Sequence, residues 1–361
     1  IGIILSSSNN NTLTNNNASS NTQHGIYLSS SSNNILTKNI VTSNGGKGIY
    51  LTYSNKNILR ENSASLHTPY PDEGIAIYDS NENIIDGNTA FNNTIGINLG
   101  NSYRNRIINN TVYSNTDWNI GLHGDGYSYA NEVINNTISN SSQGLVIGYS
   151  SGNTIYNNNF INNTGQTNIY GSSGNVFNLA RPIGGNYWSN FDTPEEGCND
   201  ADNDGFCDTP YVFSGGQDNL PWTVKNGWLP LAQVQGLTND TPTQTTVNLS
   251  WTANTETDLW GYEIFKNNTH LAYTQNAYYN VTGLSPNTLY QFKVRANDTA
   301  NNWGENSTVL NVTTAAPPPA IISWGNNQTN NDSLSISVER LTAIEFNATA
   351  NQTIANWYWD N

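Results

Sequence analysis

A glycine followed by an apolar residue returns seven times in the first part of the chain, at Gly2, Gly25, Gly48, Gly74, Gly96, Gly121 and Gly144. The spacings are 23, 23, 26, 22, 25 and 23 residues. That period is too short for a helix pair in each unit. It predicts a solenoid whose coils bury their apolar faces against one another. Nine residues after each glycine stands an asparagine: Asn11, Asn34, Asn57, Asn83, Asn105 and Asn153, with Asn131 one residue late. Five further on stands a second: Asn16, Asn39, Asn62, Asn88, Asn110 and Asn158, with Asn136 one late. A looser third column holds Asn21, Asn44, Asn93, Asn115 and Asn163, broken by His67.

Apolar residues keep the same phase. Ile3, Ile26, Ile49, Ile75, Ile97, Leu122 and Leu145 follow the glycines, and Leu13, Leu36, Leu59, Ile85, Ile107, Val133 and Ile155 lie between the first two Asn columns. Strand residues two apart share a face, so Ile26 with Leu28, and Ile49 with Leu51, point inward together. Parallel strands stack about 4.7–4.9 Å apart, a spacing at which identical amides bond along the axis. Asn also tolerates the left-handed backbone of a tight corner. Disorder from low complexity would not hold these columns in phase. The expected fold is all-β: a right-handed parallel β-helix of about seven to eight coils, followed by β-sandwich domains.

The net charge is −15, the pI about 4.4, and 11% of residues are charged. No basic patch exists to release counterions from nucleic acid. No apolar run approaches the ~20 residues of a membrane span. The chain has no Met, opens inside a coil and closes in what reads as mid-domain, which points to a mature segment of a longer secreted protein. Eighteen Asn-x-Ser/Thr triplets support an extracellular or cell-surface location and N-linked glycans. In the repeats they are Asn10, Asn17, Asn92, Asn109, Asn135, Asn140 and Asn162. Downstream they are Asn239, Asn248, Asn267, Asn280, Asn297, Asn306, Asn311, Asn327, Asn331, Asn347 and Asn351.

The repeat pattern covers residues 1–178, and residues 179–230 read as its C-terminal cap. Within the cap, Asp200, Asp202, Asp204 and Asp208, with Gly205 at the turn, form an acidic loop of the calcium kind. The carbonyl of Phe206 is the expected fifth oxygen, since Ca²⁺ takes hard oxygen ligands at alternate positions. The flanking helices and twelfth-position Glu of an EF-hand are missing. Cys198 and Cys207 bracket the loop, are the only cysteines, and are expected to bridge.

Coils of the form GIxLxxSxxNxIxxN, ended by GGNYW, the acidic loop, DTPY and DNLPW, resemble the NosD-type β-helix repeats of large archaeal surface proteins. The resemblance covers residues 1–222 and implies a fold and an envelope location. Founding members of that family assist copper-site assembly. With no Met, and with His24, His67, His123 and His270 scattered, that role does not carry over. Residues 231–316 resemble a fibronectin type III domain, with Trp251 and Tyr262 in its core and Leu284 and Tyr290 at a tyrosine corner. Residues 317–361 read as a Pro-rich linker and part of an Ig-like or PKD-like domain.

Catalysis on a β-helix needs unspent charges on one lateral face. Counted by offset after each glycine, Lys56, Glu82 and Arg104 share a column. So do Lys38 with Glu61, Arg60 with Asp86, and Arg106 with Glu132. These neighbours alternate in sign, which is cross-strand pairing. The expectation is therefore a non-catalytic, glycosylated structural protein of a surface layer, stalk or filament. Self-association is expected through the uncapped first coil, Gly2–Leu5, or through an Ile35, Ile58 and Ile84 column that either faces outward or is buried. The alternative is a carbohydrate-binding adhesin, using Tyr27, Tyr50 or Trp188, or a polysaccharide lyase or epimerase.

Overall fold

The structure is a computed structural model that describes residues 1–67, 72–202, 204–256, 259–298 and 302–318, and only the backbone of 125–127. The partial domain expected at 317–361, with Asn327, Asn331, Asn347 and Asn351, falls almost entirely outside the described residues. The chain divides into two units.

The first unit is a parallel β-helix with three lateral sheets. One has eight strands: Ile3–Ser6, Ile26–Ser29, Ile49–Thr52, Glu73–Tyr78, Ile95–Gly100, Trp118–Tyr129, Gln143–Ser151 and Gly165–Tyr170. The other two have seven short strands each, running from Thr12–Thr14 to Thr154–Tyr156 and from Ile40–Thr42 to Tyr187–Trp188. Strands pair in register with their equivalents one coil on, so Ile26, Ile49, Ile75 and Ile97 stack, as do Leu36, Leu59, Ile85 and Ile107. These side chains are fully buried and form one continuous core.

The Asn columns are ladders. The Oδ1 of Asn88 accepts from both the backbone N–H and the Nδ2 of Asn62, at 2.9 Å each. Asn88 in turn gives its N–H and Nδ2 to Asn110 Oδ1, at 2.7 and 3.0 Å. Its Nδ2 also reaches back to Leu59 O at 2.9 Å. Each rung therefore spends one oxygen and one amide, and leaves few buried polar groups unpaired. The second ladder ends on Asp218, whose Oδ2 accepts from Asn186 N–H and from Trp188 Nε1. A last rung has no further coil to donate to, so an acceptor-only carboxylate suits it. A ladder of serines, Ser31, Ser54, Ser80 and Ser102, runs alongside. The residue before each rung sits at positive φ, including Asn10, Asn33, Lys56 and Arg104 in one column and Lys38, Glu61, Asn109 and Asn135 in another.

The column Ile35, Ile58 and Ile84 faces outward: Ile35 is exposed and the other two are half-buried. The anticipated ion pairs are present: Lys38–Glu61, Lys56–Glu82, Arg60–Asp86 and Arg106–Glu132.

One register differs from the sequence expectation. Gly121 does not stack on Gly96. The strand partners are Ile97 with Ile120, and Asn98 with Gly121. Asn119 takes the coil-start place and Leu122 pairs with Leu99. The extra residues of this coil lie further on, where the register shifts between His123 and Ser128. The repeated glycine thus matched by type and not by place.

The second unit holds most of a set of antiparallel strands of the sandwich type. Gln235–Asn239, Val247–Thr252 and Tyr278–Val281 form one sheet. Thr269–Thr274, Leu259–Lys266, Leu289–Asp298 and Leu310–Thr313 form the other. Trp251 meets Tyr262 edge-on at 5.2 Å, and Tyr290 Oη accepts from Ser285 N–H at 2.9 Å, which is the tyrosine corner.

Two predictions follow from the ladders. Asn110→Leu leaves the N–H and Nδ2 of Asn88 without the Oδ1 they share and takes one of two donors, the Nδ2, from Asn136 Oδ1. It is expected to destabilise the helix by about 2–3 kcal/mol in denaturant unfolding. His67 stands in the third ladder, accepts from Asn44 N–H through Nδ1, and has a buried Nε2 with no partner. Burial lowers its pKa to about 4. The folded value lies below the unfolded one, so neutral His67 stabilises above pH ~6.5, and that contribution is lost as pH falls through about 4. His67→Asn is expected to restore the ladder and flatten the fall in melting temperature across that window.

Candidate functional site

The outward face of the eight-stranded sheet carries the groups that pairing along the other two sheets does not use. Lys47 and Glu73 each stand one residue before a coil glycine, so they meet on neighbouring coils as an ion pair. Glu73 is buried. Its Oε1 accepts from Tyr78 Oη, and Asn98 Nδ2 reaches both Glu73 Oε1 at 3.3 Å and Tyr78 Oη at 2.9 Å. Burial, then the Glu73 charge, pushes the Tyr78 phenol well above its ordinary range. Lys47 Nζ also lies 5.5 Å from the Tyr50 ring and 5.3 Å from the Tyr78 ring. Tyr27 and Tyr50 stack at 5.0 Å, with His24 at 5.2 Å against the edge of Tyr50.

Two coils further on, His123 packs against Trp118 with ring centroids 5.4 Å apart. Burial lowers the His123 pKa, so its imidazole is neutral at pH 7. Beside them is Gly121. Asn98 Oδ1, Trp118 Nε1 and His123 Nε2 all lie within 2.8 Å of where a Cβ on Gly121 would stand. All three are buried and have no hydrogen-bond partner. The face therefore combines a buried carboxylate–phenol pair, a neutral imidazole and unpaired polar atoms over a glycine floor. These are the components of acid–base chemistry on a bound molecule.

Counting charges by offset after the glycine missed this group, because Lys47 and Glu73 precede their glycines and Tyr78, Asn98 and Trp118 are uncharged. Coil length held a signal. The longest glycine spacing, 26 residues, belongs to the coil that reaches Glu73.

The other anticipated positions are placed as follows. Cys198 and Cys207 form a disulfide. Among the described residues, the one group of three or more potential metal-binding side chains is Asp200, Asp202 and Asp204, with ligand atoms within 4.8 Å of one another. Asp200 accepts from the N–H groups of Asp204 and Gly205, at 3.0 Å each. Partial burial raises its carboxyl, and the charges of Asp202 and Asp208 add to this. Asp204 forms an ion pair with Arg181 and accepts from Phe206 N–H. Asp208 stands outside the group and accepts from Ala201 N–H. The expected sequons Asn10, Asn17, Asn92, Asn109, Asn135, Asn140 and Asn162 are exposed, as are Asn248, Asn267, Asn280, Asn306 and Asn311. Asn239 is half-buried, and Asn297 is buried, which leaves no room for a glycan there on the folded chain. Trp188 is fully buried against Phe160 and offers no sugar platform. Among the described residues, no helix is long and apolar enough to cross a membrane.

Fold and face define a class: a parallel β-helix with a polar lateral site, in one chain with a fibronectin-type sandwich. Residues 1–69 and 47–193 match the family model described as periplasmic copper-binding protein (NosD), more than half the chain, and the chain belongs to that family. Residues 232–313 match the fibronectin type III domain. The chain is 42% identical over 94 residues to chitinase D of Niallia circulans, a match spanning 25% of this chain and 18% of that protein. It is 42% identical over 85 residues to exoglucanase B of Cellulomonas fimi, spanning 23% of this chain and 8% of that one. Among solved structures, the A-module of the Azotobacter vinelandii mannuronan C-5 epimerase AlgE6 is similar at 20% identity and a TM-score of 0.42, over 48% of this chain and 54% of that one.

These relatives overturn the expectation of a non-catalytic chain, since they are carbohydrate-active enzymes. The chain spans under a quarter of their length, so what they act on is theirs. The physical reason for the correction is also visible: ion pairing consumed the charges of the other sheets and left the Glu73, Tyr78 and His123 face intact. The residues do not fit copper. The sequence has no Met, both Cys are bridged, and no His joins a ligand cluster among the described residues.

Proposed function

We propose that this chain is part of a secreted carbohydrate-active protein whose β-helix acts on a polysaccharide at the Tyr78 face. The observation that carries this reading is the Lys47–Glu73–Tyr78–Asn98 network, a buried carboxylate and phenol held together on a lateral surface. Glu73 orients Tyr78, Lys47 balances the Glu73 charge, and Tyr78, kept protonated by burial and the Glu73 charge, is the proton donor toward the sugar. Neutral His123, across Gly121, is the complementary proton acceptor. The fibronectin-type module is consistent with the setting, since the relatives that share sequence with the chain are chitinases and exoglucanases. The reading of a surface-layer or filament protein has less support than this one.

The neighbouring His24, Tyr27 and Tyr50 rings favour a second reading, a carbohydrate-binding adhesin that holds the polymer without changing it. Incubation with purified polysaccharides, read as new chain ends or altered sugar configuration, separates the two. Turnover is expected, and Tyr78→Phe is expected to lower it at least about 10²-fold with the fold intact. A polymer that is retained but returned unchanged establishes the adhesin; neither retention nor turnover contradicts both.

In the same reading, the cap holds one Ca²⁺ through Asp200, Asp202 and Asp204, with the Phe206 carbonyl and Asp208 completing the set by small movements of the loop. Three carboxylates this close repel one another, and the Arg181 partner of Asp204 offsets only one of the three charges, which supports it. Titration of EDTA-treated protein with Ca²⁺ is expected to release heat and raise the melting temperature, and Asp202→Asn is expected to weaken both. An unchanged melting temperature contradicts the site. Exposed sequons are taken as glycosylated; intact mass before and after deglycosylation checks this.

A further inference from the structure

We infer that the polymer taken at this face is neutral and hydroxyl-rich, and not a uronic acid polyanion; this rests on the carbohydrate-active reading above. A polyanion needs cations that are not already spent. Residues 1–193 contain seven, and six of them face a carboxylate: Lys38 with Glu61, Lys47 with Glu73, Lys56 with Glu82, Arg60 with Asp86, Arg106 with Glu132 and Arg181 with Asp204. The seventh, Arg104, lies over the Tyr103 ring, 5.9 Å from its centroid, on a corner outside the site. The whole chain carries −15, so its long-range field repels a polyuronate.

The local chemistry agrees. Asn98 is 6% exposed, and its amide orientation is set because Nδ2 donates to Glu73 and Tyr78. Its Oδ1 is therefore an acceptor left without a partner beside Gly121. Trp118 Nε1 is an unpartnered donor at the same place, with neutral His123 Nε2 beside it, and a group from solvent reaches these atoms by a small shift of the half-buried Trp118 and His123 rings. A sugar hydroxyl satisfies both kinds of atom at once: its oxygen accepts from Trp118, and its hydrogen goes to Asn98. A carboxylate would set its charge against Asn98 Oδ1 and the Glu73 carboxylate. Unpaired buried donors and acceptors are costly, and a site built around them discriminates strongly for the group that pairs them. Glycine at 121 is what keeps the three atoms within reach of one group, since any side chain would take its place.

The test is binding of the full chain to neutral β-1,4-linked gluco- and N-acetylglucosamine oligosaccharides and to oligouronates of equal length, over a tenfold range of salt. Neutral oligosaccharides are expected to bind with affinity that changes less than about twofold with salt, because no ion pair is made. Trp118→Phe, which keeps an aromatic ring and removes one N–H, is expected to cost about tenfold. Gly121→Ala is expected to abolish binding, and Trp118→Phe keeps the test readable if Gly121→Ala fails to fold. Oligouronates binding more tightly, with affinity falling as salt rises, overturn the substrate class and leave the carbohydrate reading standing. No binding to either series overturns both.

Discussion

Amide-to-amide hydrogen bonding between successive coils is the interaction on which this structure depends. The ladder asparagines of the inner coils are buried, and a rung such as Asn88 is acceptor to the coil before and donor to the coil after. The bonds link neighbours at a separation of one coil, so they hold register as well as position. A strand slipped by one residue would put an apolar side chain into a column of amides and an amide into the core. The apolar columns supply most of the free energy of burial, but they are tolerant of small shifts, and the ladders are not. Ending the second ladder on Asp218 follows from the same logic, because a terminal rung has donors to satisfy and nothing to donate to.

A scaffold held this firmly can accept extra residues in a coil without losing its register. Two coils do so, and both border the candidate site. The additional residues before Glu73 and between His123 and Ser128 leave the ladders paired on either side. Small residues, Ala76, Gly100 and Gly121, follow one another across this face, and larger polar groups surround them. Rigid strands place Glu73, Tyr78, Asn98, Trp118 and His123, which is the arrangement that holds reacting groups in fixed geometry.

Much of the fold was legible because it repeats. Columns at offsets nine and fourteen identify the ladders, and paired charges such as Arg60 with Asp86 identify neighbouring coils. The cysteine bridge was legible because the chain holds one pair. What repetition cannot show is where the pattern is broken to make a site. Gly121 matched the coil-start residue in type and stood two residues from it in space, so the register error fell on the cradle itself. Lys47 and Glu73 lay before their glycines, outside the counted columns. The Arg181 partner of Asp204 and the burial of Asn297 and Trp188 depend on packing outside the repeat pattern.

The most direct measurement of the central claim is a crystal structure of the chain with a bound neutral oligosaccharide. The account places the sugar on the eight-stranded sheet, with one hydroxyl between Trp118 Nε1 and Asn98 Oδ1 and the ring within reach of Tyr78. A sugar bound solely on another sheet or on the fibronectin-type module, with the Gly121 cradle closed, would contradict it.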